Sequence, residues 1–77
     1  MKIVDGKILG FKNFVAKNGI QWFVINVSFP FEMAGNSHTE GEDCKSFWIR
    51  STDLTFKPAV GGKVKVGVRY GGADLVQ

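Results

Sequence analysis

One cysteine, two prolines and one histidine are spread over 77 residues. A lone thiol, Cys44, closes no internal disulfide, which agrees with a reducing compartment and leaves stability to sheet packing and to a second subunit. No apolar run approaches the roughly 18 residues that a membrane helix needs. The start, MKIVDGK, lacks the apolar segment and small-residue cleavage site of a secretory signal, and nothing resembles a lipidation motif, so a soluble cytoplasmic protein is expected. No segment sustains a 3.6-residue period, which excludes a helical bundle. A chain this short holds a core of a few layers and one domain, residues 1–77.

Catalytic and metal-binding patterns are also missing. His38, Glu40, Glu42, Asp43 and Cys44 lie close together, but their spacing fits no zinc or calcium pattern, and one His with one Cys supplies too few strong ligands. A Cys and His six residues apart on a glycine-containing loop lack the rigid frame and the third orienting group of a nucleophilic pair. There is no Walker-type phosphate loop, and the glycine pair in VGGK is followed by a strand pattern with no helix to receive phosphate. No metal, cofactor or catalysis is expected.

Acidic residues are scarce outside one segment. Between Phe31 and Cys44 stand Glu32, Glu40, Glu42 and Asp43 with no lysine or arginine, while the remainder carries ten basic residues against Asp5, Asp53 and Asp74. That cationic body favours anionic partners, nucleic acid being the commonest.

What is present is strand pattern. Residues 7–17 are β-prone and aromatic, and Asn18-Gly19 is the strongest short hairpin signal, predicting a two-residue turn into a second strand over 20–31. Pro30 ends central pairing there. The acidic stretch, about 31–45, reads as a long loop. A third strand, KSFWIRS, leads to STDLTF, predicted as one helical turn capped by Ser51 or Thr52. The strand KVKVGVRY, a turn at Gly71-Gly72 and the closing strand ADLVQ follow. Five short antiparallel strands, interrupted after the third, match an all-β OB-fold-like barrel, with Gly10 and Gly67 as sites for a bulge or bend. An SH3-like or Sm-like barrel has nearly the same strand count.

Alternation then sorts the faces. Phe23, Ile25, Val27 and Phe29 form one side of the second strand, the natural core, and Trp22, Val24, Asn26 and Ser28 form the other. A two-residue turn would set Val15 opposite Trp22, Asn13 opposite Val24, and Phe14 against Phe23 in the core. In the third strand Phe47 and Ile49 oppose Ser46, Trp48 and Arg50. In the fourth, Val64, Val66, Val68 and Tyr70 alternate with Lys63, Lys65, Gly67 and Arg69.

Aromatic rings interleaved with cations suit single-stranded nucleic acid, because bases stack on flat rings while phosphates seek positive charge. The candidate contacts are Lys17, Trp22, Val24, Trp48, Arg50, Lys63, Lys65, Arg69 and Tyr70. Trp22 and Val24 are expected on bases, with Lys17, Arg50 and Arg69 on phosphate.

The segments NGIQWFVINV, FWIRSTDL and GGKVKVGVRYGG together resemble the gene V type of single-stranded DNA-binding protein from filamentous phages and related mobile elements. That family's hairpin tip reads basic residue, any residue, Gly, two residues, aromatic, any residue, aliphatic, which falls here on Lys17, Gly19, Trp22 and Val24. Arg50 corresponds to a cation after the third-strand aliphatic. The resemblance implies an OB-fold homodimer that coats single-stranded DNA during replication in a bacterial host cytoplasm. The sequence departs from the family at YGGA, which leaves room only for a tight turn where the prototype has a long hairpin bearing a stacking aromatic. A protein-interaction or assembly module on an SH3-like or Sm-like barrel is the competing reading, and an RNA-binding barrel is a third.

Overall fold

The computed structural model describes residues 2–30, 41–69 and 72–77. Five strands account for most of them: β1 (Lys2–Val15), β2 (Gln21–Pro30), β3 (Glu42–Arg50), β4 (Lys63–Arg69) and β5 (Gly72–Val76). All neighbours are antiparallel, in the order β3-β2-β1-β4-β5. The chain crosses over after β3 so that β4 pairs with the free side of β1. This is the connectivity of the partly open OB barrel rather than that of a simple meander. β3 and β5 approach at the seam without pairing, bridged by Lys45 Nζ donating to the Ala73 carbonyl oxygen at 2.8 Å. The sheet is thus a curled half-barrel.

The inner face carries the core. Ile8, Ile25, Val27 and Val66 are fully buried, and Phe29, Phe47, Val64 and Ala73 complete the cluster. Each large aliphatic side chain taken out of water contributes about 1.5–3 kcal/mol. Phe23, Ile49, Leu54, Phe56 and Val68 pack around its margin. The period-two assignment of β2, β3 and β4 therefore holds among the described residues.

β1 starts five residues before the expected position. Asp5 and Gly6 look like strand breakers, yet both lie in an unbroken ladder with β4. Gly6 faces inward, and a Cβ there would stand 2.8 Å from a Val27 methyl and 2.9 Å from a Val66 methyl. The missing side chain lets two valines close over the strand.

Three further expectations are corrected. The hairpin has a three-residue loop, Lys17 to Gly19, because only Gly19 takes positive φ (84°), whereas a two-residue Asn-Gly turn needs both positions there. Gly19 N–H donates to Ala16 C=O at 2.9 Å and Ala16 N–H to Ile20 C=O at 2.8 Å. The register moves by one: Phe14 faces Trp22, Asn13 faces Phe23 and Val15 faces Gln21. Second, STDLTF forms a turn, with Asp53 N–H donating to Arg50 C=O, and no helix occurs among the described residues. Third, β3 begins at Glu42, paired with Pro30, inside the stretch read as loop, and Gly72 is already paired with Arg69. Gly67 lies in regular pairing, whereas the register shifts between Ile8 and Gly10, leaving Leu9 as the bulged residue.

The crossover between β3 and β4 ends in a turn that docks on this bulge. Gly61 N–H donates to the Ile8 carbonyl at 2.8 Å, and Ile8 N–H donates to the Gly62 carbonyl at 2.9 Å. Among the described residues, β1 beyond Ile8 has β2 as its one ladder partner. The hairpin projects accordingly: the molecule is 46 Å long by 23 by 17 Å, and its radius of gyration is 13.6 Å. A compact domain of this size would be nearer to about 11.5 Å.

Candidate nucleic-acid interface

Directly paired residues share a face, so the registers lay out the outer surface in rows. The first row, nearest the hairpin tip, is Arg50, Trp22 and Phe14. The second is Trp48, Val24 and Lys12. Ser46, Asn26 and Gly10 make the third, and Cys44, Ser28, Lys7 and Lys63 the fourth.

The first two rows hold an aromatic and cationic cluster. Phe14 and Trp48 come from strands that do not pair with each other, yet their rings meet edge to face, with centroids 5.5 Å apart and an interplanar angle of 83°. Strand spacing puts β1 and β3 about 9.6 Å apart, with β2 between them, and the two residues stand one row apart along the strands. The rings therefore lean together above β2. Val24, paired with Trp48 in the second row, is only 8% exposed. Sequence reasoning expects Val24 against bases, whereas the structure leaves that side chain little exposed surface. Trp48 is 61% exposed, so its ring is available from solvent.

Cations border these rings. The Arg50 guanidinium lies 5.6 Å from the Trp22 ring centroid, and Lys12 Nζ lies 5.8 Å from that of Phe14, both within cation–π range. Trp22 is half-buried under this contact. Lys17 is exposed at the hairpin tip, in the loop between the strands that carry Phe14 and Trp22. A shallow hollow lined by Phe11, Lys12, Val24, Asn26 and Ser46 continues from the cluster. Within it the Ser46 hydroxyl donates to Asn26 Oδ1 at 2.5 Å.

The β4 cations sit elsewhere on the same face and are mostly engaged. Lys65 forms an ion pair with Asp5, directly across the ladder, and Arg69 Nη2 lies 3.3 Å from Asp74 Oδ2. The hydrogen bond and charge of Lys65 hold the Asp5 carboxyl below the usual carboxylate range, with Lys63 adding a smaller push the same way. Lys63 itself is exposed and faces Lys7. Tyr70 lies outside the described residues.

The structure thus brings Trp22, Val24, Trp48 and Arg50 into one cluster, with Lys17 at the adjoining tip, and separates Lys65 and Arg69 from it. Phe14 and Lys12 belong to the cluster and are not among the sequence candidates, because a two-residue turn places Phe14 on the core side. Among the described residues no group of three or more His, Cys, Asp or Glu side chains is placed to hold a metal, while His38 and Glu40 lie outside them. No helix among the described residues is long and apolar enough to cross a membrane. No protein-family model, curated protein or solved structure matches this chain.

Proposed function

We propose that this protein is a non-enzymatic single-stranded DNA-binding protein, in which Trp48, Trp22 and Phe14 receive bases while Arg50, Lys12 and Lys17 meet phosphates. The observation that carries the reading is the ring cluster on the outer face of β1, β2 and β3: a solvent-facing indole, Trp48, braced edge to face by Phe14, with Lys12 over the Phe14 ring and Arg50 over the neighbouring Trp22 ring. In OB barrels the face of strands 2 and 3 and the loop between strands 1 and 2 are where oligonucleotides dock. Stacking contributes about 1–3 kcal/mol per base and tolerates any sequence. Duplex DNA hides its base faces and offers these rings nothing to stack on.

A homodimer is part of the proposal. On the opposite face of the projecting hairpin, Val15 is 65% exposed and Phe11 41% exposed. A second copy covering them would stabilise the arm and set two DNA faces side by side, the arrangement expected of a protein that coats strands in phage or mobile-element replication. An assembly module with another protein would draw on the same two residues.

Titrating intrinsic tryptophan fluorescence with oligo(dT), oligo(rU) and duplex DNA at several salt concentrations tests the function. Quenching by oligo(dT) that weakens steeply with salt supports it, and stronger quenching by oligo(rU) turns the reading towards RNA. No quenching by any nucleic acid contradicts it. Light scattering at twice 8.5 kDa supports the homodimer, and 8.5 kDa contradicts it.

A further inference from the structure

We propose that the single strand leaves the aromatic rings along β1, passes over the bare backbone at Gly10, and ends on a phosphate clamp formed by Lys7 and Lys63. This rests on the reading above and specifies where the strand goes. Lys7 and Lys63 are direct partners on the outer face of the β1–β4 ladder. Two ammonium groups placed opposite each other repel, and an anion held between them offsets that cost. Neither lysine has a hydrogen bond or ion pair among the described residues. The other two cations of β4 form ion pairs with Asp5 and Asp74, which leaves Lys63, beside Lys7, as the described β4 cation without one.

The way from the rings to this pair is open. Gly10 occupies the third row, and a Cβ built on it meets no atom within 4 Å. The neighbouring hollow has Val24 in its floor and Lys12, Asn26 and Ser46 in its walls, which supplies a charge for phosphate and polar atoms for base edges. From Phe14 to Lys7 along β1, at about 3.3 Å per residue with one residue bulged, the track is about 20 Å long. Past the clamp, Asp5 and Glu42 line the next depression together with Lys7 and Lys63. Asp5 and Lys65 neutralise each other, and the Glu42 carboxylate there repels a phosphate chain, which sets the end of the track.

The test compares the salt dependence of oligo(dT) binding, with a probe of about eight nucleotides, within the 4–16 that OB folds occupy. Lys7→Gln and Lys63→Gln are each expected to lower the slope of log K against log salt by about 0.7, the value of one phosphate contact on a single strand. The double variant Asp5→Asn with Lys65→Gln keeps the net charge and is expected to keep the slope. Gly10→Val adds bulk at a position where a Cβ meets no atom within 4 Å and is expected to weaken binding roughly fivefold or more, the loss of at least one stacked base, with an unchanged circular dichroism spectrum. Unchanged slopes in both lysine variants, beside a lowered slope in Arg50→Gln, overturn the clamp and leave the function standing. An equal loss of slope in the Asp5 and Lys65 double variant overturns the proposed track. Wild-type protein that shows no salt-dependent binding removes the function itself.

Discussion

Phe14 and Trp48 touch across an intervening strand, their ring centroids 5.5 Å apart. A contact that spans three strands in this way couples the hairpin to β3 and fixes the orientation of the exposed indole. It follows that the outer surface is ordered before any ligand arrives. Ordering in advance lowers the conformational cost of binding.

Trp48→Ala is expected to cost little stability, because the side chain is largely exposed, and to weaken oligo(dT) binding by about 1–3 kcal/mol, the worth of one stacked base. Fluorescence or anisotropy titration alongside thermal melting separates the two effects. An unchanged affinity would remove Trp48 from the interface.

Phe14→Ala removes the brace. The expected result is a loss of about 0.5–1.5 kcal/mol of stability from the ring pair and a red shift of tryptophan emission as the indole loses its neighbour. Denaturant unfolding and emission spectra of the free protein check this without any DNA.

Arg50→Gln removes both a charge and the contact over Trp22. The slope of log K against log salt is expected to fall by about 0.7, whereas Arg50→Lys keeps the slope because it keeps the charge. Binding isotherms at several salt concentrations distinguish a phosphate contact, which moves the slope, from a purely structural cation, which does not.

Gly6→Ala tests the fold rather than the site. Its Cβ would press on methyl groups of Val27 and Val66, both fully buried, so the strand or the valines must shift. Overpacking of this kind costs about 1–3 kcal/mol. Chemical denaturation should show that loss, with oligo(dT) affinity unchanged for the folded fraction because Gly6 faces away from the rings.

The sequence shows the faces of β2 more clearly than the geometry of the hairpin. Alternation in a strand is a local property, so Trp22 and Val24 separate from Ile25 and Val27 without knowledge of the partners. Register is not local. It turned on whether Asn18 would take positive φ, and with Gly19 alone doing so the loop gains a residue and Phe14 changes sides. The start of β1 before residue 7 is hidden for a related reason: what makes a glycine acceptable at position 6 is contact with Val27 and Val66, and what holds Asp5 is Lys65, 60 positions away. The crossover that pairs β1 with β4 creates both relationships. The same crossover places Lys63 opposite Lys7, which alternation within either strand alone does not reveal.

Amide chemical-shift mapping of the isotope-labelled protein during titration with oligo(dT) tests the central claim most directly. The account predicts the largest changes in the hairpin loop at Lys17, along Phe14, Trp22, Trp48 and Arg50, and at the indole N–H of Trp48, fading through Gly10 towards Lys7. Changes confined to the β4 and β5 half of the sheet around Arg69 and Asp74, with the two indole signals unmoved, would contradict it.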